Sequence, residues 1–79
     1  MSTAILADDE PHMRAALREQ LLALWPGLQV LGEAEDGVAA LAMIQALRPD
    51  IAFLDIRMPG LSGLQVAHAL TVGTRVVFV

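Results

Sequence analysis

Apolar and polar positions alternate along the chain in seven short blocks, each the length of a strand or a helix. Thr3 to Ala7 is an apolar run that stops abruptly at Asp8, Asp9 and Glu10, and it reads as a buried strand delivering carboxylates to a sheet edge. Pro11 suits the first turn of a helix, where its missing N–H costs nothing. Asp9 or Glu10 can cap that helix or favour its dipole. Met13, Leu17, Leu21 and Leu24 recur at helical spacing and predict one apolar face, with Arg14, Arg18 and Glu19 elsewhere. Trp25-Pro26-Gly27 ends the helix.

Leu28 to Glu33 is the second strand, placed nearer a sheet edge because Gln29 interrupts its apolar residues. Glu35-Asp36-Gly37 carries turn and helix-start chemistry. Val38, Leu41, Ile44 and Leu47 then predict a second helix ending near Arg48, before Pro49. Asp50 to Asp55 is the third strand, and a helix from about Gly63 to Leu70 turns Gly63, Val66, Ala67 and Leu70 to one side. Thr71 to Thr74 makes a turn, and Arg75 opens a fourth, buried apolar strand, Val76 to Val79. The order β-α-β-α-β-α-β with short connections implies an α/β fold with a parallel sheet and right-handed crossovers. An apolar strand at the end of the sequence, with no covering helix after it, reads as a chain cut rather than finished.

Composition narrows the class. Seventy-nine residues allow one domain, residues 1–79. A chain of this size buries roughly 60% of its unfolded surface. Hydrophobic residues make up 56% and charged residues 18%, which excludes the disordered class. Without cysteine there is neither a disulfide nor a thiolate metal site, which fits a reducing, cytoplasmic setting. The net charge is −4, and the five basic residues, all arginine, are scattered, so the chain lacks the basic footprint of a nucleic-acid binder. No apolar run approaches the roughly 18 residues of a membrane span. The N-terminus has no basic region ahead of its apolar run and does not read as a signal peptide.

Chemistry concentrates in the stretch Asp50 to Gly63, DIAFLDIRMPGLSG. The run Ile51 to Leu54 is too short for a helix and continuous enough for a strand buried on both faces. It ends on Asp55 and opens into a loop broken by Pro59, Gly60 and Gly63. Open α/β sheets place their sites at the carboxyl ends of strands. If the first and third strands are neighbours, Asp8, Asp9 and Asp55 converge there, and their repulsion calls for protonation or a cation. A hard divalent ion with oxygen ligands, Mg²⁺ above all, suits such a cluster. Asp55 could then act as a nucleophile towards a phosphoryl group. Alone, Asp55 would read as a strand-end acid capping the next turn; the company of Asp8 and Asp9 favours the acceptor role. Glu10 reads as a helix-start charge, His12 and His68 as surface residues, Trp25 as helix-end packing, and Arg14 and Arg18 as a solvated face with partner contact as the lesser reading.

The segments LADDEP, PDIAFLDIRMPGLSG and RVVFV, in that order across the whole chain, resemble a response regulator receiver domain of a two-component system. The resemblance implies a three-layer, doubly wound, flavodoxin-like sheet of strand order 2-1-3-4, lacking the fifth strand and last helices. It implies that Asp55 accepts a phosphoryl group from a phosphohistidine on a sensor histidine kinase, so that the chain is a kinase substrate rather than an independent enzyme. Asp9 would bind Mg²⁺ directly, Asp8 largely through water, and the backbone carbonyl of Arg57 would be a further ligand. Pro59 and Gly60 would shape the loop after the acceptor. ADDEPHMR and the LSG ending are similar to receivers joined to LytTR-type DNA-binding domains, which places nucleic-acid binding in the parent and not in this stretch.

Receivers also carry a hydroxyl residue just after the fourth strand and a lysine after the fifth. Val79 stands one short of the first, and the chain has no lysine. The resemblance therefore implies phosphoryl transfer weakened, and its conformational response lost. Two other readings compete. A haloacid-dehalogenase-like phosphatase also uses a strand-end aspartate, but wants a second acid where Arg57 stands. A non-catalytic interaction module would instead form a homo-oligomer through the exposed edge of the fourth strand.

Overall fold

A computed structural model of the chain describes residues 1–79. Its elements are β1 (Thr3–Ala7), α1 (Pro11–Leu24), β2 (Gln29–Ala34), α2 (Gly37–Leu47), β3 (Ile51–Leu54), α3 (Gly63–Ala69) and β4 (Arg75–Phe78). The four strands pair in parallel in the order β2-β1-β3-β4. This is the flavodoxin-like α/β arrangement expected from the sequence, with β2 at an edge as the interruption at Gln29 predicts.

Each helix begins on a side chain that satisfies otherwise orphaned backbone donors. Glu10 caps α1, its carboxylate accepting from the N–H groups of His12 at 3.2 Å and Met13 at 2.7 Å. Asp36 caps α2 by accepting from the Ala39 N–H at 2.7 Å. At α3, Ser62 and Gln65 form a reciprocal capping box, with bonds of 3.1 and 2.9 Å. Gly60, at φ 79°, supplies the left-handed turn leading to it.

Alternation along the strands divides the interior into two layers. Ile5, Ala7, Ala52 and Leu54 face α2 and α3, where they bury Ala40, Ile44 and Val66. Ala4, Leu6 and Phe53 face α1 with Leu28. The predicted apolar faces of the helices are only partly those used. On α1, Leu17, Leu21 and Leu22 pack on the sheet, but Met13 and Leu24 are 62% and 87% exposed. On α2 the buried positions are Gly37, Ala40 and Ile44, whereas Val38 and Leu47 lie exposed. The α2 seam thus combines the small Gly37, set against the Leu61 carbonyl, and Ala40 with the fully buried Ile44. β4 also departs from expectation: it is mostly exposed, as its edge position dictates.

One irregularity matters for the site. The β1–β2 register shifts between Ala4 and Ile5, which pair with Val30 and Gly32, so β2 carries Leu31 as an extra residue. The bulge turns Gly32 towards Met43 of α2 and sets Glu33 on the side of α1. No helix is long and apolar enough to cross a membrane.

Two outcomes follow from these contacts. The amide bonds from Met13 and His12 hold the Glu10 carboxyl below its ordinary value of 4.5. The stabilisation from its charge is therefore complete above about pH 4.5 and is lost as pH falls through the lower folded-state value. The difference in melting temperature between the wild-type chain and Glu10→Gln is expected to be greatest above that pH and to shrink below it; a pH-independent gap contradicts the cap. Separately, a Cβ on Gly63 would run into the Asp55 carbonyl oxygen. Gly63→Ala is expected to cost about 1–3 kcal/mol in urea denaturation, and a neutral result would contradict this close approach of α3 to β3.

Candidate functional site

Ala7 and Leu54, the last residues of β1 and β3, are register partners. The ladder runs one residue further on each strand: the Asp55 N–H donates to the Ala7 carbonyl at 2.9 Å, and the Asp8 N–H to the Ala34 carbonyl of β2 at 3.1 Å. Asp8 and Asp55 thus leave the sheet side by side at its carboxyl edge, and Asp9 follows in the turn to α1. One carboxylate oxygen from each of the three lies within 4.8 Å of the others. Asp8 is buried at 8% exposure, Asp55 is half-buried and Asp9 is exposed. The convergence expected from the sequence is present.

Local bonds aim these acids. Asp8 Oδ1 accepts from the Glu10 N–H at 2.9 Å, and Asp55 Oδ1 accepts from the Arg57 N–H at 3.2 Å. Each leaves its other oxygen without a protein donor. Arg57 lies in the turn after Asp55 and shares a shallow cleft of about 520 Å³ with Asp9, Met58 and Pro59, its own side chain exposed. The Pro59 carbonyl accepts from the N–H groups of Gly37 and Leu61, both at 3.0 Å, fixing this loop against the start of α2.

The donor set is all oxygen and all anionic. Three carboxylates within 4.8 Å repel one another unless a cation or protons intervene. Such a cluster fits a hard divalent ion and offers nothing to a soft one. It opens onto a cleft of about 530 Å³ between Met13 and Leu17 of α1 and Val79. The largest cleft, about 730 Å³, lies at the opposite end of the sheet around Arg48, Asp50 and Arg75, away from all three acids. Volume and chemistry point to different ends, and the convergent carboxylates decide for the carboxyl edge.

His12 and His68 are exposed and stay outside the cluster, and Trp25 ends α1 with its backbone N–H donating to the Leu21 carbonyl at 2.7 Å. Arg14, its side chain 18% exposed, is not the solvated residue expected, whereas Arg18 remains 43% exposed. Both pair with Glu33 of β2 at 3.0 Å, and Arg14 Nη1 also donates to the Asp8 carbonyl at 2.8 Å. The i, i+4 spacing of the arginines was visible, but their partner lies far along the chain and reaches them only because of the bulge at Leu31.

A family model described as the response regulator receiver domain matches residues 4–79. A response regulatory protein of Vibrio cholerae is 50% identical over 68 residues, covering 86% of this chain and 26% of that protein. The transcriptional regulatory protein NarL of Mycobacterium tuberculosis is 47% identical over 66 residues, covering 84% of this chain and 30% of NarL. The chain thus spans between a quarter and a third of these relatives. Among solved structures, the signal receiver domain of M. tuberculosis NarL superposes with a TM-score of 0.90 at 42% identity, over 98% of this chain and 64% of that one. A DNA-binding response regulator of the LuxR family from Staphylococcus aureus gives 0.85 at 28% identity, over 99% of this chain and 67% of that one. With acids at the ends of β1 and β3 and a matching model over residues 4–79, the chain belongs to the response regulator receiver domain family.

Proposed function

We propose that this receiver accepts a phosphoryl group on Asp55 from a phosphohistidine of a sensor histidine kinase, in a Mg²⁺-dependent reaction. The observation that carries the reading is the convergence of Asp8, Asp9 and Asp55 within 4.8 Å at one edge of the sheet. Asp8, Asp9, Asp55 and the Arg57 backbone carbonyl would hold the ion. Bound there, Mg²⁺ would supply positive charge to offset that of the incoming phosphoryl oxygens. Asp55 contributes the nucleophilic oxygen. As the O–P bond to Asp55 forms, the N–P bond to the kinase imidazole breaks and the nitrogen keeps the electron pair. The Arg57 N–H steadies Oδ1 and leaves the second carboxylate oxygen for attack. The backbone packing of Gly63 against the Asp55 carbonyl fixes the residue's position from behind.

Relatives named as transcriptional regulators, and the LuxR-family structure, support a DNA-binding output domain in the whole protein. The LytTR-type resemblance of ADDEPHMR and LSG agrees on DNA binding as the output. Cytoplasmic residence follows from the same reading.

Incubation with acetyl phosphate and Mg²⁺ is expected to add one phosphoryl group to the intact mass. Asp55→Asn should abolish the gain, chelation of Mg²⁺ should suppress it, and Asp9→Asn should weaken Mg²⁺ binding about tenfold or more. Equal labelling of Asp55→Asn and wild type would overturn the reading.

A second reading is favoured by β4, which pairs with β3 along one side and leaves Val77, Phe78 and Val79 at 43%, 39% and 50% exposure. A second copy of the chain pairing along that strand would cover them. Light scattering of the 79-residue chain is expected to give a dimer that Val77→Lys dissociates; a monomer at all concentrations contradicts it.

A further inference from the structure

We propose that Arg14 is a positioning residue for the acidic cluster, setting the orientation of the peptide group between Asp8 and Asp9 and so the aim of both carboxylates. The proposal rests on the cation-binding reading of that cluster. Its basis is the completeness with which Asp8 is held. The Asp8 N–H is committed to Ala34, its Oδ1 to the Glu10 N–H, and its carbonyl to Arg14 Nη1 at 2.8 Å. Only Oδ2 lacks a protein donor. The carbonyl bond fixes the plane of the peptide that leads into Asp9, an exposed residue whose own side chain has no partner to hold it.

Arg14 can do this because it is itself anchored. Its Nε donates to Glu33 Oε1 at 3.0 Å, while Arg18 holds Glu33 Oε2 at 3.0 Å. The Arg14 side chain is 18% exposed, so this is a fixed fork rather than a wandering surface charge. A planar guanidinium donates in two set directions at once, towards Glu33 and towards the carbonyl; an ammonium cannot reproduce that geometry. The chain of contacts runs from β2 through α1 to the loop after β1, and it joins three elements at the point where the cation would bind.

Positioning and charge make opposite predictions, which separates them. Arg14→Lys keeps the charge and loses the fork, whereas Arg14→Met loses both. The test is Mg²⁺ titration of the chain followed by amide NMR shifts of Asp9 and Arg57, with melting temperature measured without metal. If Arg14 positions the loop, both variants bind Mg²⁺ about tenfold more weakly than wild type, and the Asp9 amide moves before metal is added. A role through charge alone leaves Arg14→Lys near wild type and makes Arg14→Met bind more tightly, and that overturns the proposal. A merely structural role lowers the melting temperature with Mg²⁺ affinity unchanged, and that also overturns it. Glu33→Gln weakens the anchor while leaving Arg14 in place, and it is expected to weaken Mg²⁺ binding in the same direction should the Arg14 variants fail to fold; unchanged affinity there overturns the proposal. A wild-type chain that shows no Mg²⁺ response refutes the reading of the cluster, and the proposal with it.

Discussion

The alignment of β1 with β3 is the constraint on which the rest depends. Ala7 lies opposite Leu54, so the next residue on each strand, Asp8 and Asp55, must emerge together. Nothing about the acids favours that meeting, since like charges at such range repel. It is enforced from below by Ile5, Leu6 and Leu54, all fully buried. A slip of one residue would turn each of these side chains to the opposite face. Burial of each contributes about 1.5–3 kcal/mol, so the strands stay in step and the charge is concentrated where they end. The site is a by-product of core packing that the acids then exploit.

The two sides of the sheet are held differently. α2 and α3 meet it through fully buried Ala40, Ile44 and Val66. α1 has no buried residue and relies on half-buried Leu17, Leu21 and Leu22 together with the two arginines on Glu33. Partly exposed ion pairs of this kind contribute at most about 1 kcal/mol each. α1 is therefore the helix with the least to lose on local opening. It is also the element into which the Asp8–Asp9 loop runs, so the acidic edge couples a rigid strand end to a lightly held helix.

Much of this was legible in the sequence because the signals were local. Apolar runs closed by acids marked β1 and β3, Pro11 and Glu35-Asp36-Gly37 marked helix starts, and Pro49 marked the end of α2. Alternating strands and helices then implied a parallel sheet with right-handed crossovers, and the resemblance to receivers supplied the strand order. What was not legible involved distance or subtraction. Met13, Leu24, Val38 and Leu47 fit a helical period yet lie outside the core, because the packed seams run through Leu17, Leu21 and Leu22 on α1 and through Ala40 and Ile44 on α2. The arginines of α1 looked solvated because their acid sits on another element. Asp8, Asp9 and Asp55 were found because they close the apolar runs of two separate strands, whereas Arg14 touches the site through a backbone carbonyl, which leaves no trace in residue identity.

Leu31 has a reach beyond its own size. In an unbroken β2 the alternation begun at Val30 would continue without a shift, turning Glu33 towards the apolar side of α2 and Ala34 towards α1. The single supernumerary residue resets the count, so one half of the strand obeys one phase and the other half its opposite. A β-strand is usually treated as a uniform comb of alternating teeth. Here a miscounted tooth decides which layer receives a charge, and through it how the far end of the neighbouring strand is braced.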